Sequence, residues 1–261
     1  GSSGIGAEAA KQLAAAGATP CLVARRQEEL ERVQKALHAA GGKDFISSAD
    51  LSDWASLEAC CKAILAEHPR VDVLVNNAGR SIRRPIKEAL DRAHDYERTM
   101  QINYFAAVRM TLALLPRMLE QKAGQVINIS SVVALMSTPR FSAYNGSKAA
   151  LDAFSRSLRI ELAEEGIDVT VLNYPLVKTA MTAPTKVYQY IDQLDVSVAA
   201  GWITEAVARK PARRTTGQAA FFTVMIALAP ARALRWLAGY GKRRVAKMMK
   251  QMQQEQDQGQ H

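Results

Sequence analysis

Cysteine, aromatic side chains and long apolar runs are all scarce in this sequence, and each shortage closes off a class of protein. The only cysteines are Cys21 and the adjacent pair Cys60 and Cys61. Neighbouring cysteines rarely bridge and none of the three has metal-ligand spacing. Neither a disulfide framework nor a metal site is therefore expected, and a reducing, cytoplasmic setting fits. Aromatics make up 6% of the residues, whereas Ala, Leu and Val are common, which suits helices packed on a buried sheet. No apolar stretch reaches the ~20 residues that a membrane-spanning helix needs, and no signal-peptide pattern opens the chain. There is no internal repeat, no low-complexity linker and no nucleic-acid-binding module, so no nucleic-acid partner is expected. Acidic residues are missing from residues 206–250, where eleven Lys and Arg fall. The rest of the chain holds 23 bases against 25 acids, so the net charge of +9 belongs to the C-terminal end.

What the sequence does have is concentrated between Gly124 and Ala149. Val126, Ile127 and Ile129 read as a short buried strand that ends at Ser130 and Ser131. Tyr144 follows thirteen residues after Ser131, and Lys148 four residues after that. Residues four apart share one face of a helix, so the phenol and the ammonium can look into the same cleft. A hydroxyl, a phenol and a lysine together suit delivery of a proton to a carbonyl oxygen. The free phenol has a pKa near ~10, and a neighbouring ammonium is expected to lower it. A Tyr and a Lys four apart also recur by chance on amphipathic helices. Ser131 and its strand are what lift this pair above that background.

The chain alternates helix and strand. Gly1-Ser-Ser-Gly-Ile-Gly6 leads into a helix from Ala7 to Ala16; glycines at a helix N-terminus let backbone N–H groups approach a phosphate. Such a loop belongs after a buried strand, and none precedes it in the sequence. Thr19–Ala24 reads as a strand followed by Arg25 and Arg26, where Arg suits a 2′-phosphate and an acid would suit a 2′-OH. A helix over Gln27–Ala40, a weak strand over Lys43–Ala49 and a helix over Trp54–His68, capped by Ser52 or Asp53, come next. Val71–Val75 is an apolar strand with Asn76-Asn-Ala-Gly79 at its carboxyl end, the edge where ligands bind in open parallel sheets. A long helical region from Ile86 to Lys122 contains Asn103 among apolar residues, and a structural and a functional role suit that amide equally. The helix carrying Tyr144 runs to Glu165, a strand to Leu172, a lid-like stretch from Met181 to Asp195, a helix from Val196 to Lys210, and a last edge strand over Arg213–Thr216. This pattern gives an α/β fold with a doubly wound parallel sheet that is short of its first strand.

These stretches, taken together, resemble a classical short-chain dehydrogenase/reductase over nearly the whole chain. The resemblance implies a Rossmann-like domain over 1–216 that binds NADPH, followed by an apolar and then basic helical tail over 217–261. It assigns the phosphate loop to Ser3, Gly4, Ile5 and Gly6, the 2′-phosphate to Arg25 and Arg26, and the adenine site to Asp50 and Leu51. Asn76, Ala78 and Gly79 would border the cofactor at the strand end, and Thr179 would meet the nicotinamide carboxamide. Asn103, Ser131, Tyr144 and Lys148 match the family's catalytic tetrad. Tyr144 would donate the proton, Ser131 would hold the carbonyl oxygen, Lys148 would lower the Tyr144 pKa and bond the nicotinamide ribose, and Asn103 would anchor a proton relay. The sequence departs from the family in having Pro175-Leu176 where Pro-Gly is usual. Relatives often form dimers or tetramers, so a homo-oligomer is the default.

A narrower resemblance concerns the substrate. Asn76–Arg84, Pro139–Tyr144, Tyr174–Thr179 and Ala183–Tyr188 are similar to the reductase domain of bacterial fatty acyl-CoA reductases. This implies reduction of a long-chain acyl-CoA or fatty aldehyde, a small lipid-like substrate. The alternatives are a reductase of another apolar ketone (3-oxoacyl, sphingoid or steroid) and a catalytically silent NADPH-binding protein. Arg80, Arg83, Arg84 and Lys186 lie near the expected pocket mouth, either to hold the phosphates of coenzyme A or as ordinary solvated charges. In the tail, Ala219–Ala231 is apolar and too short to span a bilayer. Leu234, Leu237, Val245, Met248 and Met252 then recur among Arg232, Arg235, Lys242, Arg243, Arg244, Lys247 and Lys250. One reading is peripheral membrane contact through this basic tail. The other is an apolar run that covers the pocket or an oligomer interface, followed by a solvated basic end.

Overall fold

The computed structural model describes residues 1–237 and 239. Lys242, Arg243, Arg244, Val245, Lys247, Met248, Lys250 and Met252 of the expected amphipathic tail lie outside the described residues, as does the side chain of Lys186.

Helix α1 spans Gly4–Ala15. It starts inside the glycine loop, ahead of the expected Ala7, because Gly4 takes up a left-handed φ of 53° that other residues resist. Strand β1 (Cys21–Ala24), helix α2 (Gln27–Ala39) and strand β2 (Phe45–Ser48) follow. Asp53 caps α3 (Trp54–Glu67), its Oδ1 accepting from the Ser56 N–H at 2.7 Å. Strand β3 is Val73–Asn76. The long helical region beyond it is broken: α4 (Ala93–Met100) passes through a π-helical turn, Gln101–Phe105, into α5 (Ala106–Gln121). Strand β4 (Gly124–Ser131), the short α6 (Val133–Met136), α7 (Ser142–Glu161) and β5 (Ile167–Tyr174) come next. A 3-10 turn over Lys186–Tyr190 interrupts the lid stretch. The chain continues with α8 (Val196–Arg209), the two-residue β6 (Arg213–Arg214) and α9 (Gly217–Leu228).

All the strand pairings are parallel, and they form two sheets: β1 with β2, and β3-β4-β5-β6. Residues alternate across β4 with the period of two that a strand dictates. Val126 joins a core with Leu57, Cys61, Met110 and Leu158 from α3, α5 and α7. Ile127 and Ile129 join Ala9 of α1 and Ala199, Ile203 and Ala206 of α8 on the other face. Helices thus cover both faces, as a doubly wound fold requires. All eight residues of β4 are buried, and burying each aliphatic side chain stabilises by about 1.5–3 kcal/mol. This rigid strand delivers Ser131 to its carboxyl end. Among the described residues, no helix is long and apolar enough to cross a membrane.

Candidate active site

Ser131 is the last residue of β4 and lies in register with Tyr174 of β5. Its hydroxyl donates to the Tyr174 carbonyl at 3.3 Å and accepts from the Val133 N–H at 3.4 Å, so it is fixed as the chain turns into α6. Tyr144 sits in the first turn of α7. Burial pushes its phenol up to about 12, against the lowering effect of its hydrogen-bonding neighbour Ser131 and with a further upward push from Tyr188. Ser131 and Tyr144 are therefore together, and Tyr188 of the 3-10 turn is a neighbour that the sequence did not single out.

Lys148 follows one helical turn on and is buried. Its Nζ donates to the Ile129 carbonyl at 2.6 Å and lies 6.0 Å from the centre of the Tyr144 ring. Burial draws its pKa down to about 8. The expectation that this ammonium would lower the phenol pKa is not met. Desolvation disfavours both charged forms, and Lys148 spends its shortest bond on the sheet backbone.

Asn103 lies in the π-helical turn, fully buried. Its Oδ1 accepts from the Arg80 N–H at 2.8 Å, and its Nδ2 donates to the Arg80 carbonyl and the Ser147 hydroxyl, each at 2.9 Å. Ser147 in turn donates to the Tyr144 carbonyl at 2.8 Å. Asn103 thus ties the loop after β3 to the helix that carries Tyr144 and Lys148. Gly79 packs into the same corner, where an added Cβ would lie 3.1 Å from Asn103 Oδ1 and 3.6 Å from Lys148 Nζ.

The residues expected to hold a dinucleotide lie at the start of α1, after β1, after β2 and after β3. Backbone N–H groups at the start of α1, at Gly4, Ile5 and Gly6, have no intrahelical partner by the geometry of a helix N-terminus. A Cβ at Gly4 would lie 3.5 Å from Thr179 Cγ2, which puts Thr179 against the glycine loop at Gly4, next to Ser3 in sequence. At Gly6 a Cβ would lie 2.8 Å from Asn77 Nδ2 and 3.2 Å from the Gly1 Cα, so a side chain here would push the Asn77 amide aside. Arg25 and Arg26 are exposed just beyond β1 and make no ion pair with another described residue. An open helix N-terminus beside two free guanidinium groups suits a phosphorylated dinucleotide. Asp50 Oδ1 accepts from the Ser52 N–H at 2.8 Å, fixing the turn that bears Leu51. Asn76 differs from the others: its Nδ2 donates to Thr111 and Asn128 inside the core, so its amide is taken up by the sheet. Ala78 is partly exposed between Asn76 and Gly79.

The arginines beyond β3 are not equivalent. Arg84 is bound to Asp95 at 3.3 Å, and its N–H donates to the Arg140 carbonyl at 2.7 Å. Arg83 is exposed and close enough to Tyr188 to pull that phenol down against the upward effect of burial. Among the described residues, no group of three or more His, Cys, Asp or Glu could hold a metal ion.

The family described as short chain dehydrogenase matches residues 1–188. A fatty acyl-CoA reductase from Acinetobacter baylyi is 49% identical over 229 residues, which cover 88% of this chain and 78% of that protein. Among solved structures, a short-chain dehydrogenase from Streptomyces avermitilis aligns with a TM-score of 0.77 and 30% identity, covering 92% of this chain and 95% of that one. A metagenomic short-chain oxidoreductase in complex with NADP aligns with a TM-score of 0.71 and 27% identity, covering 82% of this chain and 92% of that one.

Proposed function

This chain belongs to the short-chain dehydrogenase family and is an oxidoreductase, and we propose that it reduces the carbonyl of a fatty acyl-CoA or fatty aldehyde with NADPH. The observation that carries the reading is the pairing of buried Ser131 with the partly buried Tyr144, with buried Lys148 one turn further along α7. The substrate class is supported by the 49% identity to a fatty acyl-CoA reductase, and the cofactor by the NADP-bound neighbour and by the unpaired Arg25 and Arg26.

NADPH, when bound, supplies hydride to the carbonyl carbon. The start of α1 would hold the pyrophosphate, Arg25 and Arg26 the 2′-phosphate, and Asp50 and Leu51 would border the adenine. Ala78, Gly79 and the backbone of Asn76 would line the ribose side, and Thr179 would meet the carboxamide. Ser131 holds the substrate oxygen. Tyr144, with its pKa pushed up to about 12, stays protonated at neutral pH and gives its proton to the far more basic oxygen that forms as hydride arrives. Lys148, at about 8, is close to neutral pH and returns a proton to the phenolate, while Asn103 keeps α7 and the β3 loop in register. With an acyl thioester, the protonated adduct then loses the thiol and leaves the aldehyde. With an aldehyde, the product is the alcohol.

The test is product analysis with NADPH and, separately, palmitoyl-CoA, palmitaldehyde and a panel of apolar ketones. Hexadecanal or hexadecanol is the expected product. NADPH consumption with ketones alone would overturn the substrate assignment.

A further inference from the structure

The apolar run after β6 folds into α9, and the following residues 230–237 are helical again. Ala219, Phe222 and Ala233 are buried, and the Phe222 ring lies 5.5 Å from that of Trp236, so the two helical pieces pack on each other. α9 also packs against α6, the short helix directly after Ser131. One face is thereby used up. The opposite face of α9 presents Phe221, Val224 and Leu228 to solvent, at the i, i+3, i+7 spacing of a single stripe, with Leu228 81% exposed. Leu234 and Trp236 are exposed on the second piece. Arg232 and Arg235 stand among them without an ion pair to any described carboxylate, in the stretch that has no acid from 206 to 250.

We propose that this apolar stripe docks the protein on an anionic lipid surface. α9 has 12 residues, about 18 Å at 1.5 Å per residue, too short for a hydrocarbon core of about 30 Å. It suits a helix lying in the plane of the interface, with aromatic and aliphatic side chains in the acyl boundary and cations among the headgroups. Charge decides between a lipid surface and a second copy of the chain. A two-fold contact through this stripe would bring Arg232 and Arg235 of both copies together, neither of which has an ion pair among the described residues, whereas an anionic surface neutralises them. Because α9 leans on α6, docking sets the end of the molecule that carries Ser131 toward the lipid.

The test is co-sedimentation of the 261-residue chain with vesicles of phosphatidylcholine alone and with added phosphatidylglycerol. The expected result is binding to the anionic vesicles that weakens with salt, with tryptophan emission shifting to the blue. Phe221→Glu with Leu228→Glu is expected to weaken binding on the order of tenfold or more with an unchanged melting temperature, and Trp236→Phe to lose most of the emission shift. A wild-type chain that stays in the supernatant with anionic vesicles at low salt would overturn the proposal. So would a double variant that binds like wild type, or one whose only change is loss of a self-associated species. Binding is read without substrate or cofactor, so it stands or falls apart from the assignment of the reaction.

Discussion

Lys148 of α7 donates to the Ile129 carbonyl of β4 at 2.6 Å, two residues before Ser131 on the same strand. That one bond fastens the helix bearing Tyr144 to the strand bearing Ser131, and so sets the distance between them. It also keeps an ammonium in a dry site, which draws its pKa from 10.5 to about 8.

A lysine with a folded value below its unfolded value binds fewer protons folded than unfolded between the two. Stability therefore rises with pH from about 8 to 10.5, and the full penalty is present below that window. Burial also raises the pKa values of Cys21, Cys60 and Cys61, which lose stability over the same interval. The Lys148 contribution is therefore read as a difference: between pH 7.5 and 9.5, wild type is expected to gain on the order of 2 kcal/mol relative to Lys148→Met in denaturant unfolding. Tyr144 acts with the opposite sign at higher pH, because a phenol raised from 10 to about 12 loses stability across that interval. Equal slopes in wild type and Lys148→Met would refute the burial account.

Arg25→Asp should weaken NADPH binding and relatively favour NADH. The guanidinium is exposed beyond β1 and unpaired among the described residues, and a 2′-phosphate forms charge-assisted bonds with it that a 2′-OH cannot match. Titration of both cofactors into wild type and variant checks this. Equal use of NADH and NADPH by the wild type would contradict it.

Gly79→Ala is a small change in a tight corner, since the new methyl would lie 3.1 Å from Asn103 Oδ1. It should disturb the Arg80–Asn103–Ser147 chain of bonds, each of which contributes ~1 kcal/mol, and lower kcat more than KM. Kinetics alongside thermal melts decide the matter. A variant with wild-type kcat would mean that the corner yields freely.

Arg83→Glu and Arg84→Glu should behave differently although the two residues are adjacent. Arg84 holds Asp95, so its reversal should lower the melting temperature. Arg83 is exposed beside Tyr188, so its reversal should raise KM for acyl-CoA far more than for the free aldehyde. A matched rise for both substrates at Arg83 would indicate a structural fault and not a phosphate contact.

The sequence made some of this legible and hid the rest for physical reasons. β3, β4 and β5 are runs of β-branched and apolar residues, and the four-residue step from Tyr144 to Lys148 is a helical period, so both appear in local pattern. The π-helical turn at Asn103 does not, because it depends on bonds to Arg80 and Ser147 that are 23 and 44 residues away. The three arginines after β3 look alike in sequence, and only Asp95 separates Arg84 from Arg83. A further network escaped entirely. Arg213 of β6 bonds both oxygens of buried Asp152 at 2.8 Å and the Asn173 Oδ1 at 2.7 Å, while the Asn173 Nδ2 donates to the Ser131 carbonyl. Pairings across 61 residues have no period to reveal them. Burial likewise reversed the expected direction of the Tyr144 pKa, and burial is a tertiary property that spacing does not carry.

The most direct measurement of the central claim is NADPH oxidation by wild type and Tyr144→Phe, with palmitaldehyde as substrate and NADPH affinity determined in parallel. The ring packs as before in the variant and only the proton donor is gone. The account predicts a rate lower by ~10²–10⁴-fold, the usual cost of losing a general acid, with NADPH binding nearly unchanged. A variant that keeps more than about half of the wild-type rate, judged on that same scale, would contradict it.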